Sequence, residues 1–347
     1  MKRLKPNKIL KIKKPFFVTR KYDEDHIREY DDLQNKPILY VKNLTKRYFA
    51  KKLPAVQQIS FNVYPGEFHA FIGANGAGKT TTIKCLIGAY TNWNGTILVN
   101  GFKNNKEKAK RKLGYIPENA RFPERLSAIK YLQWMTMLSG LTHKDAKKFA
   151  IRKLKSLRMW SLRHKTPNSF SSGQKKKILL AQALIHDPDI IIMDEPVANL
   201  DPKARTEFFS LLIDLRKKRK AIFISSHVLA ELDRYADSAT ILDGGKIIYS
   251  GDKKTLMNKF STHRYEIATS NDVITKKYLK AQHLKHYSND ANDAMVVNFA
   301  TEDKAITLQK ELIKNGITFT KFSRIEPSLD QVYSKLVIKG SVDTEKG

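Results

Sequence analysis

Apolar residues fall first into short dense runs at 38–41, 59–63 and 68–72, broken by turn residues such as Pro65 and Gly66, and these runs predict β-strands. A glycine-rich stretch follows, then an apolar helix over about 79–89. Between 124 and 163 the apolar positions Ala128, Tyr131, Leu132, Met135 and Leu138 recur at helical spacing. Strands at 190–193, 221–225 and 238–242 then alternate with helices over 202–218 and 228–236. Such alternation predicts an α/β unit with a largely parallel sheet and ligands at the carboxyl ends of its strands. Beyond about Thr262 the texture changes to strand-like 264–268, 295–299 and 317–322 around helices near 272–282 and 302–314.

The expected organisation is therefore a basic, partly disordered extension over 1–36 and an α/β unit over 37–261, with its helical subdomain at about 119–175. A small α+β domain over 262–340 and a tail over 341–347 complete it. A length of 347 residues suits two domains, and the hydrophobic fraction of 41% suits packed cores. No apolar run approaches the roughly 18–20 residues of a membrane-spanning helix. The single cysteine, Cys85, lies in the apolar helix pattern and reads as a small buried side chain in a reducing compartment.

The net charge of +30 changes the picture more. A field of that sign attracts nucleic acid or an anionic membrane leaflet, although lysines scattered over solvated faces account for it as well. Nine of these cations (Lys2, Arg3, Lys5, Lys8, Lys11, Lys13, Lys14, Arg20 and Lys21) precede the first acid, Asp23. Contact of this extension with anionic lipid headgroups is the expectation.

Two segments carry the chemistry. Gly73-Ala74-Asn75-Gly76-Ala77-Gly78-Lys79-Thr80, between a strand and a helix, fits the P-loop pattern. Its backbone N–H groups and the following helix N-terminus suit phosphate oxygens. Lys79 suits the β- and γ-phosphates, the Thr80 hydroxyl suits Mg²⁺, and Thr81 is a further phosphate contact. The second segment, Asp189 to Glu195, is an apolar strand ending in two acids. Asp194 is placed to hold the Mg²⁺ shell and Glu195 to polarise an attacking water as general base.

Ser169-Phe170-Ser171-Ser172-Gly173-Gln174 resembles the signature of ABC ATPases. Asn199-Leu200-Asp201 is similar to their D-loop, and Ser225-Ser226-His227 resembles their switch histidine. Order and spacing match over roughly 38–255. The resemblance implies a P-loop NTPase cassette with ATP and Mg²⁺ as cofactors. It also implies head-to-tail dimerisation, as a homodimer or with a homologous partner, and separate membrane-spanning subunits at the cytoplasmic face of the membrane. In that arrangement Ser171, Ser172, Gly173 and Gln174 contact the partner chain's nucleotide, His227 holds the γ-phosphate and orients Glu195, and Asp201 reports between sites. Tyr48 looks like the aromatic that stacks on adenine, with Phe49 its competitor and Val56 a candidate for the same pocket.

Two positions depart from the family pattern. Glu118, in Tyr115-Ile116-Pro117-Glu118-Asn119, stands where glutamine is usual; its carboxylate can still serve Mg²⁺ or water. Ser172 replaces the first signature glycine, at a cost if that position needs a close backbone approach. Phe122, Pro123, Leu126 and Tyr131 are equally candidates for membrane-subunit contact and for core packing. Pro327-Ser328-Leu329-Asp330-Gln331-Val332-Tyr333 is similar to an element closing many export-type cassettes and implies an exporter. One P-loop and no heptad run argue against a cassette that works on nucleic acid or ribosomes. Glu195 and His227 together argue against a non-hydrolysing module.

Overall fold

A computed structural model describes residues 24–49, 51–289 and 294–344. The run of cations from Lys2 to Lys21 lies outside the described residues. The chain opens with α1 (Glu24–Asp31), β1 (Leu39–Lys46), β2 (Val56–Val63), β3 (Phe68–Gly73) and α2 (Lys79–Leu86). It continues through β4 (Asn94–Val99), β5 (Phe102–Lys103), α3 (Glu107–Arg111) and β6 (Leu113–Ile116) to α4 (Ala128–Leu138), α5 (His143–Ser156) and α6 (Ser172–Ala183). Next come β7 (Ile190–Asp194), α7 (Pro202–Lys217), β8 (Ala221–Ser226), α8 (Leu229–Tyr235), β9 (Ser238–Asp243), β10 (Lys246–Asp252) and α9 (Lys253–Phe260). Last are β11 (Arg264–Thr269), α10 (Asp272–Ala281), β12 (His286–Asn289), β13 (Ala294–Asn298), α11 (Glu302–Lys314), β14 (Phe319–Arg324) and α12 (Leu329–Thr344).

The six-stranded sheet runs β10-β9-β3-β8-β7-β6, parallel except for β10. Its central strands are buried along their length because both faces are covered, with His69 of β3 bonded to Ser238 and Thr240 of β9, and the pleat deals alternate side chains to two cores. Ala70, Ile72, Ile191, Met193, Ile222 and Ile224 face the helices α4–α9. Phe71, Ile190, Ile192, Ala221 and Phe223 face α2 and the antiparallel sheet β2-β1-β4-β5. Charge is thereby kept to the strand ends, where Gly73, Asp194 and Ser226 finish β3, β7 and β8.

The segment ahead of β1 is more structured at its end than its composition implies. Tyr30 of α1 is buried against Tyr40 and Leu98, and Glu29 pairs with Lys42 at 2.9 Å.

Residues 264–324 form a β-α-β-β-α-β unit, an antiparallel sheet in the order β12-β13-β11-β14. Tyr265, Ile267, Met295 and Val297 pack with Leu279 of α10 and with Leu308 and Leu312 of α11. This is the split β-α-β arrangement. The helix after it behaves otherwise. In α12, Leu329 and Val332 are fully buried in the core that holds Leu229, Leu232 and Leu256. The Leu329 N–H donates to the Asp233 carboxylate at 3.1 Å, and the same carboxylate pairs with Lys253. α12 thus packs on the α/β unit and runs through the expected boundary at 340.

Candidate functional site

The loop between β3 and α2 lies at the carboxyl edge of the six-stranded sheet. Gly78 caps α2 with φ +106°, and a Cβ there would sit 2.6 Å from the Ala55 carbonyl oxygen, so only glycine fits. A cavity of about 270 Å³ opens beside the loop. Asn75, Gly76, Gly78, Lys79, Thr80 and Thr81 line it from the loop and α2, and Glu118, Glu195 and His227 line it from neighbouring elements. Ala55 and Ala198 complete the wall; the sequence offers no signal for either.

The acids behave as a strand-end rule predicts. Asp194 and Glu195 are both buried. The Ser225 hydroxyl donates to Asp194 Oδ1 at 2.8 Å and accepts the Glu195 N–H at 3.0 Å, so one residue holds the Asp194 carboxylate and the Glu195 backbone. In sequence Ser225 is only the first residue of the Ser225-Ser226-His227 motif; its register opposite Asp194 in the parallel pair is what identifies it. The Thr80 hydroxyl donates to Asp194 Oδ1 at 3.3 Å.

Glu195 has φ +44°, a backbone state that costs a non-glycine residue on the order of 1–3 kcal/mol and recurs at functional sites. Its Oε2 lies 2.9 Å from His227 Nδ1. Its Oε1 accepts no hydrogen bond, although Lys79 Nζ stands 3.4 Å away. Lys79 meanwhile donates to the carbonyl oxygens of Gly73 and Ala74, at 2.7 and 3.2 Å. A buried carboxylate oxygen that accepts no hydrogen bond can take a hydrogen bond from a water in the cavity.

For a divalent cation the oxygens of Thr80, Asp194 and Glu118 are available. Among the described residues no cluster of three or more His, Cys, Asp or Glu side chains could hold a metal. One or two carboxylates, a hydroxyl and substrate phosphates nevertheless suit Mg²⁺, which keeps most of its shell from water and phosphate.

Glu118 sits on a loop held from below. Lys176 of α6 is buried and donates to the carbonyl oxygens of Pro117 and Glu118, at 3.0 and 2.6 Å. Burial lowers the Lys176 ammonium to about 8, opposed by the charges of Glu118 and Asp194. Burial also pushes the Tyr115 hydroxyl up to about 12, with Asp194 and Glu118 adding to it. The glutamate at 118 thus has a buried cation within electrostatic reach. Lys175, Lys176 and Lys177 are indistinguishable in sequence, so nothing there marks Lys176.

The signature lies apart from the cavity. Ser171 caps α6 and forms a reciprocal capping box with Gln174. Within the chain Ser172 is an ordinary first helical residue, and its hydroxyl donates to the Asn199 carbonyl oxygen. The close approach falls one residue later, where a Cβ on Gly173 would lie 2.8 Å from the Ala204 Cβ. Asp201 caps α7, accepting the Ala204 N–H at 2.9 Å. Gly73, Ala74 and Ala77 form the loop but do not line the cavity. Tyr48 stands beside it, its hydroxyl 3.1 Å from the Thr81 hydroxyl and its ring edge-on to Tyr90. Val56 is buried in the core instead, and Phe49 is fully exposed. Phe122 and Tyr131 pack edge to face in the core, which leaves Trp134, Met137 and Leu138 as the exposed apolar residues of α4.

Comparison with known proteins bears on this geometry. The ABC transporter family matches residues 56–198. A protein of Mycoplasma pneumoniae named as an ABC transporter ATP-binding protein is 40% identical over 303 residues, 87% of this chain and 92% of that one. The bacitracin transport ATP-binding protein BcrA of Bacillus licheniformis is 31% identical over 313 residues, 88% of this chain and 99% of that one. A solved ATP-binding subunit of an ABC transporter superposes with a TM-score of 0.57 at 31% identity, over 64% of this chain and 93% of that one.

Proposed function

The chain belongs to the ABC transporter ATP-binding proteins, and from that premise we propose that residues 73–81 bind the phosphates of ATP and that Glu195 is the general base for its hydrolysis. The observation that carries this reading is Glu195 itself: one carboxylate oxygen on His227 Nδ1, the other buried, without a hydrogen bond and facing Lys79. Lys79 leaves its carbonyl contacts for the β- and γ-phosphates. Glu195 takes the proton of the attacking water, and His227 keeps the carboxylate turned toward it. Thr80, Asp194 and Glu118 would hold Mg²⁺, which supplies charge neutralisation on the phosphates.

Ser171, Ser172, Gly173 and Gln174 serve the partner chain's nucleotide. They lie outside their own cavity, so a head-to-tail pairing is needed to complete each site. Asp201 and the turn before α7 would carry the state of one site to the other. Tyr48 is proposed as the adenine platform. Trp134, Met137 and Leu138 are the face of α4 that suits a membrane subunit. The closing element at 327–333 and the relative that serves bacitracin transport support export, at the cytoplasmic face of the membrane. The basic extension is proposed to rest on anionic lipid; deletion of residues 1–21 that left liposome binding unchanged would refute this.

The decisive experiment is light scattering of purified Glu195→Gln with ATP and Mg²⁺. A dimer that forms only with ATP is the expected result. Wild-type protein that bound ATP no better than Lys79→Ala would refute the site.

A further inference from the structure

The Gly73–Ala74 peptide is held from both sides. Its carbonyl, on Gly73, accepts from Lys79 Nζ at 2.7 Å. Its N–H, on Ala74, donates to the Tyr333 hydroxyl at 3.0 Å. In a trans peptide these two groups point in opposite directions, so Lys79 and Tyr333 flank one rigid plane. The Ala74 carbonyl accepts in turn from Lys79 and from the Ala77 N–H, at 3.2 and 3.1 Å. One hydroxyl therefore holds the peptide that receives the resting lysine, and the next peptide along closes the first turn of the P-loop.

Tyr333 is itself firmly placed. It lies one residue beyond Val332, which is fully buried, and its ring packs on the same core. Burial raises its hydroxyl further above the ordinary tyrosine range, so it stays protonated at neutral pH. The helix that carries it follows directly on the split unit at 264–324, and the Leu329–Asp233–Lys253 contacts anchor that helix beside α9, which leads into the unit.

We propose that Tyr333 is a positioning residue for nucleotide binding: its hydroxyl pins the Gly73–Ala74 peptide, pre-ordering the P-loop and making ATP affinity depend on the seating of α12. The proposal rests on the P-loop being the ATP site. Without the hydroxyl the peptide is held from the Lys79 side alone, a contact that ATP draws away, so ATP must order the loop as it binds. The cost is that of one hydrogen bond, a rise of about three- to tenfold in the Kd and KM for ATP, with kcat changed less than about twofold.

The test compares full-length wild type, Tyr333→Phe and Tyr333→Leu. Phenylalanine keeps the ring packing and removes only the hydroxyl; leucine removes both. Two readouts are taken: ATP–Mg²⁺ affinity with steady-state KM and kcat, and hydrogen exchange of the peptide spanning 73–79 in nucleotide-free protein. Expected are weaker affinity and faster exchange in Tyr333→Phe with an unchanged melting temperature, and the same affinity loss with a lower melting temperature in Tyr333→Leu. Wild-type exchange and affinity in Tyr333→Phe would overturn the proposal, as would a loss seen only in Tyr333→Leu. If wild type bound no ATP, the assignment of the site would fail, and the exchange comparison would still decide whether Tyr333 pins the loop.

Discussion

The Ser172 hydroxyl donates a 2.9 Å hydrogen bond to the Asn199 carbonyl oxygen, joining the first residue of α6 to the turn before α7. Asn199 has φ +62°, so the bond braces a backbone state that few side chains favour. A glycine at 172, as in the usual signature, could not make this tie. The first of these segments is proposed to serve the partner chain's nucleotide, and the second to carry the state of one site to the other. Ser172→Ala should therefore slow turnover of the assembled dimer by about two- to fivefold while ATP binding to the separate chain stays the same. Equal turnover in the two proteins would count against the brace.

Glu195 and His227 should act as one unit. Glu195→Gln is expected to lower kcat by about 10²- to 10⁴-fold, and His227→Ala by about 10- to 100-fold through loss of the 2.9 Å contact. In the double variant the second change should cost little beyond the first, since only one interaction is lost. Multiplicative losses in single-turnover assays would show that His227 works on something other than Glu195.

Lys176 gives a pH signature in stability. Its native ammonium, near 8, lies below the ordinary value of 10.5. Between those values the unfolded chain binds the proton more strongly, so this residue's contribution to stability rises with pH from about 8 toward 10.5. Denaturant titrations of wild type and Lys176→Met from pH 7 to 10 should show the difference shifting toward wild type as pH rises. A constant difference would mean the buried amine is not perturbed.

Gly173 is set by packing between helices. Gly173→Ala forces a Cβ to within 2.8 Å of the Ala204 Cβ and should cost about 1–3 kcal/mol in a urea titration. Ala204→Gly in the same chain should recover part of that loss, less about 1 kcal/mol for glycine in a helix. An equal loss in the double variant would place the strain elsewhere.

The parts legible in sequence were those in which chemistry and pattern coincide. An apolar strand that ends in Asp194-Glu195 has only one place to put its acids, and a glycine loop before Lys79 has only one natural context. The order of the last four strands is not legible, because it depends on which edges pair, and His286–Asn289 is too short to announce itself. α12 was readable as a motif but not as a helix that returns to the first core; Leu329, Val332 and Leu336 lie at helical spacing, yet spacing does not say against which domain they pack. Lys176 and Tyr333 matter through what burial brings beside them, and neither has a local signature.

The split unit enters at Arg264 and leaves at Arg324, and these ends are neighbours: Tyr265 pairs with Arg324, and the Ile325 N–H donates to the Arg264 carbonyl oxygen at 2.7 Å. Because α12 belongs to the first core, the unit interrupts the α/β domain as an insertion and does not trail behind it. Its two attachment points are separated by little more than the width of one strand pair. Evolution could therefore exchange such a module for another, or delete it for a short turn, without reopening the core that α12 completes.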